Sequence, residues 1–183
     1  KKTVVVILAD GFEEIEAVTP IDILRRAGLD VIVAGVGKKE IRGAHGIIIK
    51  ADMTLEAYEG LPDAVVLPGG MPGAQNLQNS SAVKEILKKM KNSNRLIGAI
   101  CASPAVVLAP NGILEGKKAT CYPGFEDSLG PNVTFSADRV VRDGQVITSR
   151  GPGTALEFSL ELVGQLTDTK TVDDILRQTI SKI

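Results

Sequence analysis

Four short apolar runs with almost no polar breaks constrain this chain more than any other feature. They are Thr3–Ala9 (TVVVILA), Asp30–Val36 (DVIVAGV), Asp63–Leu67 (DAVVL) and Leu96–Ile100 (LIGAI). Runs of this length without alternation suit strands covered on both faces. Helical patterns lie between them. One runs from about Glu13 to Ala27, with Glu13 and Glu14 at its positive end, Pro20 as a possible kink and Gly28 as its stop. Another is capped by Ser80 or Ser81 and reaches about Met90, with Val83, Ile86, Leu87 and Met90 on one face. A further helix begins over Pro104–Leu108, and two more cover Thr154–Leu166 and Thr171–Ile180. Residues 40–50 read as an antiparallel excursion turning near Gly43–Gly46, and Lys118–Cys121 as a strand. Arg139–Arg142 and Gln145–Thr148 flank Asp143-Gly144, a hairpin signal. Apart from the hairpins, strand and helix alternate, which predicts an α/β fold with a mainly parallel sheet between helices. No internal repeat or long linker breaks the 183 residues, so residues 1–183 are expected to form one domain.

Composition narrows the function classes. Net charge is −1 and no Lys/Arg-rich run occurs, which speaks against nucleic-acid or anionic-membrane binding. The apolar stretches fall short of a membrane span, and the first reads as a strand rather than a signal peptide. With only two cysteines in a chain this apolar, reduced thiols and a cytoplasmic setting are expected. One histidine and no zinc-type cysteine spacing argue against a metal site.

Ligand chemistry in such sheets gathers at the carboxyl ends of the strands. Three ends stand out: Asp10-Gly11 with Glu16 beyond, Pro68-Gly69-Gly70, and Cys101-Ala102-Ser103-Pro104. Cys101 directly follows a strand, with Pro104 suited to a first helical turn and Ser103 to a cap. A thiol near a helix N-terminus is expected to ionise readily, its pKa falling from about 8.5 into the range of about 3.5–7.5. Gly69 and Gly70 are either a plain turn or backbone donors aimed at a developing anion. Glu16 shares a face with Pro20, Ile23 and Ala27. There it is either a solvated helix glutamate or a desolvated carboxyl with a raised pKa, able to shuttle protons. His45 is a loop residue or an acid–base group. Arg150, in SRGPGT, either leads into a helix or contacts an anion. Cys121, in ATCYPG, reads as semi-buried and secondary.

Taken together, VVVILADGFEEIEAVTPIDILRRAG, VVLPGGMPGAQNL, LIGAICASPAVVLA and ITSRGPGTALEFSLELV resemble the DJ-1/ThiJ/PfpI superfamily, in its DJ-1-like branch, over nearly the whole chain. The resemblance implies a flavodoxin-like three-layer sandwich, akin to class I glutamine amidotransferases, and a homodimer. It implies Cys101 as nucleophile and oxidation-sensitive thiol, Glu16 as the protonated carboxyl beside it, and Gly70 and Ala102 as backbone donors. Many relatives carry a histidine where Tyr122 stands here, so no Cys-His-acid triad is available. Tyr122, Arg150, Pro152 and His45 are the expected pocket residues, His45 lying near an arginine of some relatives' anionic pocket. The implied activity is cofactor-free glyoxalase III chemistry on a small aldehyde, methylglyoxal, or deglycation of glycated proteins. The alternatives are a redox sensor or chaperone with little turnover, or a PfpI-type cysteine peptidase. Ala102 weakens the last, since that branch has histidine directly after the cysteine.

Overall fold

The structure is a computed structural model that describes residues 1–182. In chain order it contains β1 (Thr3–Leu8), α1 (Glu14–Arg26), β2 (Asp30–Gly35), β3 (Glu40–Arg42), β4 (Ile48–Lys50), β5 (Met53–Thr54), β6 (Ala64–Leu67), α2 (Gly73–Gln78), α3 (Ser81–Asn92) and β7 (Leu96–Ile100). There follow β8 (Lys118–Ala119), β9 (Thr134–Phe135), β10 (Val140–Asp143), β11 (Val146–Ser149), α4 (Ala155–Leu166) and α5 (Thr169–Gln178). A seven-stranded sheet runs in the order β10-β11-β7-β6-β1-β2-β5. Its pairings are parallel except at the β10 edge, which joins β11 as a hairpin turning through Asp143-Gly144. This is the flavodoxin-like α/β arrangement that the alternating pattern and the resemblance anticipate.

Strand period explains the layers. Val4, Val6 and Leu8 of β1 face one core with Ala17, Ile23 and Leu24 of α1 and Phe158 and Leu162 of α4. Val5 and Ile7 face the other, with Leu77 of α2 and Val83, Ile86 and Leu87 of α3. Each such aliphatic side chain contributes roughly 1.5–3 kcal/mol when fully buried. Ser80 caps α3 by accepting the Val83 N–H at 3.2 Å. Glu13 is the residue before α1, and its carboxylate accepts from the Ile15 N–H. Pro20 does not end α1, although its ring removes the donor that the Glu16 carbonyl would otherwise take.

Three expectations need correction. The segment after Cys101 is only a five-residue π-type turn, Pro104–Leu108, not the start of a regular α-helix. Ser103 does not cap it. Its backbone is already helical, and its hydroxyl donates instead to the Pro68 carbonyl at 2.5 Å. Cys121 is fully buried rather than semi-buried. No helix of the described residues is long and apolar enough to cross a membrane.

Candidate functional site

The sheet order makes β7, β6 and β1 neighbours, so the three strand ends singled out in the sequence converge. Cys101 sits where β7 gives way to the turn, with φ of 66° in the left-handed region that non-glycine residues seldom occupy. Its neighbours hold it there. The Cys101 N–H donates to the Ser149 carbonyl at 2.9 Å, and its carbonyl accepts from the Tyr122 N–H at 2.8 Å. Ser103, tied to Pro68, clamps the ends of β6 and β7 together from the buried side. Position 69 must be glycine for space: a Cβ there would stand 2.6 Å from the Cys101 Cβ and 2.8 Å from the Ile100 carbonyl oxygen.

Glu16 lies in the first turn of α1 and is completely buried, on the face that the spacing to Pro20 and Ile23 marks out. Its Oε1 accepts the Gly69 N–H at 2.9 Å, while its Oε2 meets no nitrogen or oxygen donor and the carboxyl's other neighbour is the Cys101 thiol. Burial pushes its pKa from the ordinary 4.5 up to about 7, and the nearby Glu13 charge adds to this. The Cys101 side chain and the Gly69 N–H pull the other way. Gly69 is therefore a donor, but to Glu16 and not to a reacting oxygen. The expectation that it joins an oxyanion site is corrected accordingly.

Gly70 and Ala102 do present their N–H groups to the Cys101 sulfur and lower its pKa. They are outweighed. Burial first, and the Glu16 charge second, push the thiol up to about 12. The readily ionised thiol expected from the sequence is thus not what these surroundings favour. The residue is only 8% exposed, and the short turn behind it does not offset that desolvation. What the pair offers is one proton to share between a buried carboxyl and a buried thiol, which titrate as a unit.

The other expected residues fall into two groups. His45, on the turn between β3 and β4, is exposed and engages acids at the start of α1. Its Nδ1 lies 3.0 Å from Glu14 Oε2 and 3.4 Å from Glu13 Oε2. The Glu14 contact, and then the Glu13 charge, raise its pKa. Glu14 itself is buried and accepts the His45 and Ile47 N–H groups. Among the described residues these three bring ligand-type atoms within 4.8 Å of one another, His45 being hydrogen-bonded to Glu14 and in ion contact with Glu13.

Tyr122 and Arg150, by contrast, are joined to the backbone of the two cysteines, the Tyr122 N–H donating to the Cys101 carbonyl. Arg150 Nε donates to the Cys121 carbonyl at 3.1 Å, and the Tyr122 ring lies against Gly151, where a Cβ would be 3.3 Å from it. Pro152 begins a 3-10 turn that leads into α4. The two cysteines are both free and belong to the cores on opposite faces of the sheet. Sequence reasoning missed Glu13, whose N–H donates to the Gly69 carbonyl at 3.0 Å and whose charge reaches Glu16. Its place directly before the helix was the available signal.

Comparison with known proteins agrees with this architecture. Residues 2–165 match the DJ-1/PfpI family. The Parkinson disease protein 7 homolog of Danio rerio is 48% identical over 170 residues, covering 90% of this chain and 89% of its own. The glutathione-independent glyoxalase DJR-1.2 of Caenorhabditis elegans is 35% identical over 179 residues, covering 97% and 95%. Among solved structures, oxidized DJ-1 of Toxoplasma gondii superposes with a TM-score of 0.97 at 40% identity, with both chains fully covered. The chain belongs to the DJ-1/PfpI family.

Proposed function

We propose that this protein is a cysteine-dependent, cofactor-free glyoxalase acting on methylglyoxal or its early glycation adducts. The observation that carries the reading is the buried Glu16 carboxyl, one oxygen held by Gly69, beside the Cys101 thiol in a strained turn. The similarity to a glutathione-independent glyoxalase supports it.

Because the thiol is hard to ionise alone, Glu16 acts as the base at the moment of attack. The carboxylate takes the thiol proton as sulfur bonds to the aldehyde carbon. The former carbonyl oxygen, held by the Gly70 and Ala102 N–H groups, then takes that proton from Glu16, giving a hemithioacetal and restoring the carboxylate. The Glu16 carboxylate next removes the hydrogen on that carbon as a proton and returns it to the adjacent carbon, while the hydroxyl proton passes to the former ketone oxygen. The aldehyde carbon is thereby oxidised to a thioester and its neighbour reduced to an alcohol, with no outside oxidant. Water cleaves the thioester, releasing lactate and restoring the thiol. Tyr122, standing where many relatives have histidine, leaves Glu16 as the sole proton shuttle, and turnover is correspondingly slow.

The partner reading is a homodimer of one-domain subunits. Ile15 and Val18 on α1 and Ile47 and Ile48 on the β3–β4 hairpin are all about half exposed, and Glu14 ties the two elements side by side. Continuous exposed apolar surface of this kind supports a second copy as its cover. The two cores on either face of one sheet support reading residues 1–183 as a single domain.

The test is lactate formation from methylglyoxal without glutathione. Cys101→Ser is expected to lower kcat/KM by about 10³-fold. A variant as active as the parent would overturn the mechanism.

A further inference from the structure

The sequence holds two tyrosines, four phenylalanines and no tryptophan. Phe12 and Phe158 are sealed in the cores. Tyr122, Phe125 and Phe135, by contrast, gather around the Arg150–Gly151 segment beside Cys101. Tyr122 is fastened to the cysteine by its N–H bond to the Cys101 carbonyl at 2.8 Å. Its ring rests on Gly151 and meets Phe125 edge to face, centroids 6.4 Å apart. The Arg150 guanidinium lies 5.7 Å from the Phe135 ring centroid, held by the Cys121 carbonyl and by Glu126. Tyr122 and Phe135 remain 44% and 40% exposed. A chain that keeps two of its few aromatic rings half in water, both braced against the segment beside its cysteine, offers aromatic faces there.

We infer that Tyr122, backed by Phe125 and Phe135, is the specificity wall of the Cys101 site and selects α-oxoaldehydes with a flat aromatic substituent over methylglyoxal. The inference deepens the glyoxalase reading and, for turnover, rests on it. The chemistry is unchanged: phenylglyoxal plus water gives mandelate, with one hydrogen moved between adjacent carbons and no external oxidant. The ring stacks on the substituent of the substrate while the aldehyde carbon meets the sulfur. The phenol hydroxyl has no part in this, so phenylalanine at position 122 serves as well as tyrosine.

The experiment has two arms. The first compares initial rates on phenylglyoxal and methylglyoxal for the parent, Tyr122→Ala and Tyr122→Phe. Tyr122→Ala is expected to lower the ratio of kcat/KM for phenylglyoxal over methylglyoxal about fivefold, and Tyr122→Phe to keep the parent's ratio. The second arm needs no turnover. Phenylglyoxylate and pyruvate are titrated into Cys101→Ala protein and observed by ligand NMR. Phenylglyoxylate is expected to bind about fivefold tighter, and adding Tyr122→Ala to erase the preference. A protein that makes no lactate but keeps this binding preference overturns the glyoxalase reading and leaves the wall standing. Equal loss on both aldehydes, or no preference between the two acids, overturns the wall.

Discussion

Cys101 and Cys121 are both interior thiols, and burial pushes both up, to about 12 and about 11. Acidity therefore does not tell them apart. Their settings do. Cys101 occupies a left-handed turn, keeps a sliver of exposure, and has a buried carboxyl and two backbone N–H groups around its sulfur. Cys121 has no exposure at all, lies in the opposite core, and feels only the charges of Glu126 and Arg150. On the proposed mechanism, the difference teaches that reactivity comes from a proton acceptor placed beside a thiol on strained backbone. A thiol that is ionised in advance is not required.

The comparison breaks most visibly under peroxide. Cys101 is expected to gain two oxygens as a sulfinic acid, with protonated Glu16 hydrogen-bonding the product, while Cys121 stays unmodified. Peptide mass spectrometry after mild peroxide reads this directly. Oxidation arriving first at Cys121 would erase the distinction between the two sites.

Glu16→Gln comes next. The folded state holds this carboxyl at about 7 against an ordinary 4.5, so folding favours the protonated form. The stability this group contributes is full below pH 4.5 and is lost as pH rises through about 7, on the order of 3 kcal/mol across that window. Glutamine cannot ionise. The variant is expected to lose that slope and to be more stable than the parent at pH 8, in denaturant titrations run at pH 5 and pH 8. His45 contributes a slope of the same sign to both proteins, so it cancels. Activity should fall about 10²-fold. A slope unchanged by the substitution would remove Glu16 from its assigned protonation state.

Gly69→Ala probes the close approach rather than the chemistry. A methyl at 2.6 Å from the Cys101 Cβ must displace the elbow, at a cost of about 2 kcal/mol. The expected result is a lower denaturant midpoint together with lower activity. Full activity at reduced stability would separate the turn's geometry from its function.

How much of this was legible in the sequence depended on the range of the interaction. β1, β2, β6 and β7 were readable because strands buried on both faces lack alternation, whereas the spacing of Glu16 to Pro20 and Ile23 allowed an inward place without deciding it against a solvated one. β5 and β9, two residues each, are too short to show a period. Ser103 looked like a cap because capping is local. Its actual partner, the Pro68 carbonyl, is 35 residues away and becomes a neighbour only once β6 and β7 pair. The Gly69 N–H, spoken for by Glu16 across 53 residues, was hidden for the same reason. The thiol's pKa was misjudged because a helix start is visible in sequence, whereas desolvation sums over everything packed around the sulfur.

The smallest effect belongs to Cys121→Ser, and it sharpens the comparison most cleanly. The hydroxyl would enter an apolar core, where burying a polar group costs more than burying the thiol. The cost is about 1 kcal/mol of stability, read as a lower denaturant midpoint. Arg150 holds the Cys121 backbone carbonyl rather than its sulfur, and the Tyr122 N–H holds Cys101 through backbone alone. Replacing the thiol leaves both bonds in place, so lactate formation should stay within about twofold of the parent. A deeper loss of activity would mean that the two cysteines communicate through this shared backbone, and that the separation drawn between them is too sharp.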